Sequence, residues 1–247
     1  MGDLVKDSLA GGITAAAASL SGNQIITIAT AIGAPAISSV AVDFASRALS
    51  KWQSSRLVKG VQMIAEKIGV NIQSGKSFRM DCEMSPVDGE QAQQVLEGIL
   101  QNIADEYEKK KIETHANLFT NLCFDERIVF EQAIYLARVL KQLSYRQLVL
   151  ISLCKNSPLD VGRWHIKFKD SGNPILKNYA DLYSEIQNLE QIRIIEDSSP
   201  VVSFGGSRGA LRLSLFGNTI FEELDLESVP EKEKDLVAQM ISSVNNS

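Results

Sequence analysis

Chemistry at a protein surface needs a nucleophile, a base or a ligand set, and the nearest approach to one is Asp105, Glu106 and His115. A carboxylate beside an imidazole is the raw material of general acid–base catalysis, and paired carboxylates can also hold a metal. Here no nucleophile or further ligand stands at a telling spacing from them. The run Asp105-Glu106-Tyr107-Glu108-Lys109-Lys110-Lys111 places acids three or four residues ahead of lysines. That arrangement predicts the exposed face of a helix rather than a metal site.

The other chemistry-bearing residues are equally incomplete. Ser74-Gly75-Lys76-Ser77 ends like a phosphate-binding loop, but that loop needs four residues between its glycines, and Gly69 and Gly75 enclose five. The residues before it read as helix, not strand. Cys82, Cys123 and Cys154 are far apart, odd in number and without CxxC spacing, which fits buried or free thiols in a reducing cytosol. His115 and His165 fall on separate elements, so a zinc site would need help from distant groups. The expectation is a non-enzymatic protein with no catalytic, cofactor-binding or metal-binding residues, no cofactor and no small-molecule substrate.

The elements that carry these residues are dominated by an unusual start. Residues 8–42 contain no Lys, Arg, Asp or Glu and consist of small and apolar residues, Ser, Thr, Asn23 and Gln24. The most apolar window, residues 25–42, is just long enough to span a bilayer. Its seven Ile and Val residues contribute roughly −2 to −4 kcal/mol on an insertion scale. Thr27, Thr30, Ser38, Ser39, Gly33 and Pro35 work against them, and Pro35 kinks or splits any helix there. A secretory signal is a poor alternative, because Asp3 and Asp7 accompany Lys6 and Gly11-Gly12 breaks the first apolar patch. The flank after the run is basic, with Arg47, Lys51, Arg56 and Lys59. Membrane association or self-association through Ile25, Ile28, Ile32, Pro35, Ile37 and Val40 is therefore expected. The expected location is the cytoplasm, with peripheral or conditional attachment at the inner face of the membrane.

The 247 residues leave room for one large domain or two small ones, and 45% apolar content is ample for a core. The net charge of −5 is unlike the basic surplus of a dedicated nucleic-acid binder. Three regions are expected: residues 1–70 (net +2), an acidic helical bundle over 71–143 (−4) and residues 144–247 (−3).

From Asp43, the residues Phe44, Ala48, Trp52, Leu57, Val61, Ile64, Ala65 and Ile68 recur at helical spacing, with Gly69 as the stop. The basic positions of this helix form a solvated face or meet anionic lipid headgroups. Ser85-Pro86 reads as an N-cap and first helical residue, and Asp125 as the cap of a further helix through Leu143. Ser144 and Gln147 form a capping box that opens another. The strict alternation of Arg163-Trp164-His165-Ile166-Lys167-Phe168-Lys169 predicts a half-buried strand with a basic outer face. A helix over 178–191 follows, then two strands (192–196 and 210–216) around the glycine-rich loop at Gly205. In the second strand Leu211, Leu213 and Leu215 face inward. A short helix over 218–226 and a helical tail from Glu231 close the chain.

The expected fold is thus mainly α, with an N-terminal helical region followed by a C-terminal winged-helix-like α+β domain. Many winged helices read DNA with the helix before the wing. In this chain that helix carries Asp181, Glu185 and Glu190, which repel phosphates. DNA contact is left to the wing and the basic strand, through Arg163, Lys167, Lys169, Arg208 and Arg212. A protein partner is the favoured expectation, and a winged-helix DNA-binding regulator the alternative.

Four features together resemble the abortive-infection alpha (Abi-alpha) group of bacterial phage-defence proteins. They are the uncharged Gly/Ala-rich start, the acidic helix ending Ala104-Asp105-Glu106-Tyr107 with His115-Ala116-Asn117-Leu118 after it, the helix into Leu143-Ser144-Tyr145, and the closing Leu213-Ser214-Leu215-Phe216-Gly217-Asn218. The likeness spans residues 85–225. It implies an antiviral, abortive-infection context and supplies no catalytic residues.

Overall fold

The structure is a computed structural model that describes residues 39–41, 43, 47, 49–81, 84–87, 89–161, 164–169, 174–198 and 210–246. The chain is mainly helical with one small two-stranded antiparallel sheet, and it divides into two compact units, Met1–Gln142 and Leu143–Ser247. Among the described residues no helix is long and apolar enough to cross a membrane. Ile25, Ile28, Ile32, Pro35 and Ile37 lie outside the described residues, so the expected association segment is represented by Val40 alone.

The first unit is built on α1, Lys51–Gln73. Ser50 opens it with a reciprocal capping box: its hydroxyl accepts from the Gln53 N–H while the Gln53 side chain accepts from the Ser50 N–H. Two orphan amides of the first turn are satisfied in this way. Leu57, Val61, Ile64 and Ile68 form the buried stripe. Trp52 departs from the predicted stripe and is 71% exposed. Gly69 is buried within the helix, and the chain instead turns at Gly75, whose φ of +90° favours glycine.

Helix α2 is Glu90–Asp105, α3 is Lys111–Leu122 and α4 is Phe130–Gln142. Helix α1 packs on α2 and α3, and α2 and α3 both pack on α4. At the α1–α2 crossing Gly60 lets the backbones close in, since a Cβ there would sit 2.8 Å from the Ile103 side chain. Helix α3 is enclosed on nearly all sides, which draws Lys111, Thr114, His115, Asn117 and Thr120 into the interior.

Two predicted starts are corrected. Ser85 closes a turn before α2, its carbonyl accepting from the Gly89 N–H and its hydroxyl from the Val87 N–H, and Gly89 is the N-cap. Asp125 accepts from the Arg127 N–H in the turn after α3, five residues before α4 begins. Both serve as turn-formers, a role open to short polar side chains as readily as capping. The predicted helical surface over 105–111 is also interrupted, because α2 stops and residues 106–110 cross to α3.

A buried arginine fastens the segment after α1. Arg79 is 1% exposed; its N–H donates to the Cys123 carbonyl and its guanidinium to the carbonyls of Leu122 and Ile128. Asp81 balances the charge, and Phe78 stacks on Phe124 with centroids 5.2 Å apart.

The second unit is organised around α5, Tyr145–Asn156, which opens with the predicted Ser144–Gln147 capping box. Helices of twelve residues are marginal alone; this one is held by burial of Leu148, Val149, Leu150, Ile151, Ser152 and Cys154. Then come α6 (Trp164–Lys169), α7 (Pro174–Lys177) and α8 (Ala180–Gln191). Strand β1 (Ile195–Asp197) pairs antiparallel with β2 (Leu211–Leu213) in the register Ile195↔Leu213. Leu159 forms an isolated antiparallel bridge to Leu211. Helix α9 (Leu215–Glu223), a 3₁₀ turn (Leu226–Ser228) and α10 (Glu231–Asn245) close the unit. Helix α5 packs against α8, β2, α9, the 3₁₀ turn and α10.

The predicted basic strand over 163–169 is a helix across the residues described. Both edges of β2 are taken, one by β1 and the other by Leu159, so a further strand has no place beside it. At helical spacing Trp164 and Phe168 meet, with centroids 5.8 Å apart, and Phe168 stacks on Tyr183 at 4.6 Å. Leu215, predicted inward, is 88% exposed because the strand ends at Leu213 and Ser214 caps α9. Gly217 allows the first turn of α9 to rest on Ile194, whose carbonyl a Cβ at that position would strike.

Candidate functional site

The residues with the greatest chemical potential converge where α2 gives way to α3. Glu106 ends α2 as its C-cap, and its side chain turns into the unit instead of out to solvent. Lys111 and His115, one turn apart on α3, meet it there. The Lys111 ammonium lies 2.7 Å from Glu106 Oε2, and His115 Nε2 lies 3.4 Å from the same oxygen. Glu106 Oε1 accepts from the Glu108 N–H at 3.0 Å, and Lys111 donates onward to the Lys141 carbonyl at the end of α4. Exposure is 8% for Glu106, 3% for Lys111 and 0% for His115.

Burial by itself would raise the pKa of Glu106. Hydrogen bonds from His115, Lys111 and the Glu108 amide outweigh it and bring the carboxyl down to about 2. Burial pushes the His115 pKa down, with Glu106 opposing and the Lys111 charge adding to the shift. At neutral pH the site is therefore an ion pair beside a neutral imidazole whose Nε2–H faces the carboxylate. The imidazole's Nδ1 has no hydrogen-bond partner among the described residues. A histidine–carboxylate pair can relay protons; here the imidazole is fully buried.

Sequence reasoning singled out Asp105, Glu106 and His115; the structure brings only the last two together. Asp105 accepts from Gln53 and Gln101 instead. Lys111 was missed as a member of the cluster, although its i,i+4 spacing to His115 is the signal that puts both on one face of a helix.

The remaining candidates are dispersed. The Ser74–Ser77 segment follows the C-terminus of α1, where carbonyls rather than N–H groups point outward, so it cannot cradle phosphate as a helix N-terminus does. Cys123 and Cys154 are buried free thiols; burial raises both, Cys154 to about 12. Among the described residues no group of three or more His, Cys, Asp or Glu could hold a metal ion.

Of the residues expected to contact nucleic acid, Arg163 and Arg208 lie outside the described residues, and of Lys169 only the backbone in α6 is described. Lys167 donates to the carbonyls of Val244 and Asn245 at 2.9 and 2.8 Å, placing a cation at the negative end of α10. Arg212 pairs across the sheet with Glu196 at 3.1 Å. On α8, Asp181 and Glu185 both receive Arg146, the former at 2.6 Å, and Glu185 also accepts from the Ser144 hydroxyl.

Val40 is half-buried and helical. With Ser39, Asp43, Glu90, Gln93, Gln94 and Glu97 it lines a polar groove of about 360 Å³. Arg47 spans two of the groove's three acids, with its guanidinium 2.6 Å from both Asp43 and Glu97.

No protein-family model, no curated protein and no solved structure matches the chain.

Proposed function

We propose that the chain is a non-enzymatic effector or accessory protein of bacterial phage defence. Residues 144–247 are read as a winged-helix-like module that binds a protein partner. The uncharged residues 8–42 are read as associating with membrane or with further copies of the chain. The winged-helix reading draws support from the order α5, Leu159 bridge, α6 with α7, α8, β1, β2, with β2 lying between β1 and the bridge.

The observation that carries a protein rather than a DNA partner is the charge of α8. It holds Asp181, Glu185 and Glu190 and no base, and the nearby Arg146 is occupied by two of those acids. Duplex DNA carries a negative charge about every 1.7 Å along its axis, so an acidic helix in the reading position is repelled. The alternative, a regulator contacting DNA through its wing and basic face, has Lys167 and Arg212 already engaged within the fold. The defence context rests on the sequence resemblance alone.

Three measurements test the reading. A bacterial host expressing the full chain is challenged with phage; fewer plaques are expected, and unchanged plaque numbers overturn the defence role. Duplex DNA is titrated at low salt; no retention is expected, and steeply salt-dependent binding would move the assignment to the DNA-binding regulator. Cell fractionation of the full chain against one starting at Asp43 addresses the N-terminal segment. If both stay soluble and equally active, membrane action is wrong.

A further inference from the structure

Two large aromatic side chains stand in water on the first unit, on segments that Arg56 and Gln53 tie together. Trp52 is 71% exposed in the first turn of α1, and Tyr107 is 86% exposed in the connection between α2 and α3. Arg56 joins them: it lies one turn after Trp52, holds its guanidinium 5.8 Å over the Tyr107 ring and donates to the Ala104 carbonyl. Gln53 ties the same two segments through Asp105. Lys59 continues the Trp52–Arg56 stripe at i+7, and Lys51, Lys109 and Lys110 are also exposed nearby. Against these five bases stand Glu108, which is exposed, and Asp105, whose oxygens are held by Gln53 and Gln101. The patch is basic on a chain whose net charge is −5.

We infer that Trp52, Arg56 and Tyr107, flanked by Lys51, Lys59 and Lys109, form a docking surface for an anionic lipid bilayer. Tryptophan and tyrosine settle at the level of the headgroups, where an amphipathic ring meets both apolar chains and water. Lysines and arginines near a negatively charged leaflet each add attraction. A protein partner would also welcome Trp, Tyr and Arg, but lysine is depleted at protein interfaces relative to the rest of the surface, and four of the five bases here are lysines. Its position favours lipid as well: the uncharged run 8–42 ends ten residues before Trp52. The inference rests on the membrane part of the proposed function and names the surface and the lipid class.

The chain's two tryptophans make a direct test. Trp164 is 1% exposed and donates to Asn245 Oδ1, so a change in emission on binding reports Trp52. The full chain is mixed with phosphatidylcholine vesicles and with vesicles containing phosphatidylserine, and both emission and vesicle flotation are read. The expected result is flotation and a blue shift with the anionic vesicles only. The shift disappears in Trp52→Phe, and affinity falls roughly 30-fold in a Lys59→Gln/Lys109→Gln chain, about fivefold for each base removed. Flotation with no shift in Trp52 emission overturns the patch while leaving membrane association by residues 8–42 standing. Absence of flotation overturns both. A shift that grows with protein concentration in the absence of vesicles assigns the patch to contact between copies and also overturns the inference.

Discussion

The ammonium of Lys111 sits 2.7 Å from Oε2 of Glu106, with both side chains more than nine-tenths buried. A sealed ion pair contributes little over an apolar pair of equal volume, yet removing one partner strands the other charge. Lys111→Met should therefore cost about 3–5 kcal/mol, whereas Lys111→Met with Glu106→Gln should cost clearly less. Denaturant unfolding of the two variants, compared with the parent chain, checks the difference. Equal losses would show that the charge left behind is not the cause.

The same site sets an acid sensitivity in two stages. Because the folded pKa of His115 is depressed, the unfolded chain binds a proton that the folded chain resists, and stability falls as pH drops below the ordinary 6.5. The carboxyl of Glu106 is depressed from 4.5 to about 2, so its contribution is complete above 4.5 and is lost between those values. Asp81 and Asp181, lowered by Arg79 and Arg146, add to the loss at the acid end. Protection of the α3 amides against hydrogen exchange, corrected for the intrinsic pH dependence of exchange, should fall from about pH 6.5 downward in the parent chain. In a His115→Asn chain the loss of protection should begin only near 4.5.

Two positions of α9, two residues apart, should respond very differently. Gly217→Ala forces a methyl group against the Ile194 carbonyl, a backbone atom that cannot swing aside, and should cost about 3 kcal/mol or more. Leu215→Ser alters a side chain that is 88% exposed and should change stability by no more than about 0.5 kcal/mol. Thermal unfolding of both variants decides this. A large loss at Leu215 would mean that it is covered.

Arg79→Met keeps the aliphatic stem but leaves the Leu122 and Ile128 carbonyls without their donor inside the unit. A loss of about 3 kcal/mol is expected, since orphaned buried acceptors cost about 1–3 kcal/mol in all and the Asp81 pair is lost with them. Urea unfolding followed by far-ultraviolet circular dichroism measures it. A change below about 1 kcal/mol would mean that water satisfies those carbonyls.

What the sequence made legible was mostly periodic. The apolar stripes of α1, α2 and α4, the Ser144 capping box and the strand preceding the Gly217 helix could be read from spacing. Three things could not. Six residues from Trp164 to Lys169 alternate as a strand does, and only the occupied edges of β2 decide for helix. Glu106 and Lys111 belong to a charged run that looks solvated, and their burial depends on where α2 stops. Trp52 fits an apolar period and yet faces water, because among the described residues no neighbouring element reaches over the first turn of α1 to cover it. Each miss concerns a long-range fact that local pattern does not carry.

The Arg79 clamp also bears on the lifetime of the fold. It joins residues 43 and 49 positions apart in the chain, and its acceptors exist only once α3 has ended and the turn toward α4 has formed. Contacts that close long loops are assembled late, after local helices have docked. Interactions absent from the barrier leave the speed of folding almost untouched and act on escape from the folded state. Arg79 is in that sense a latch: it adds little to how fast the helices gather and much to how long they stay together.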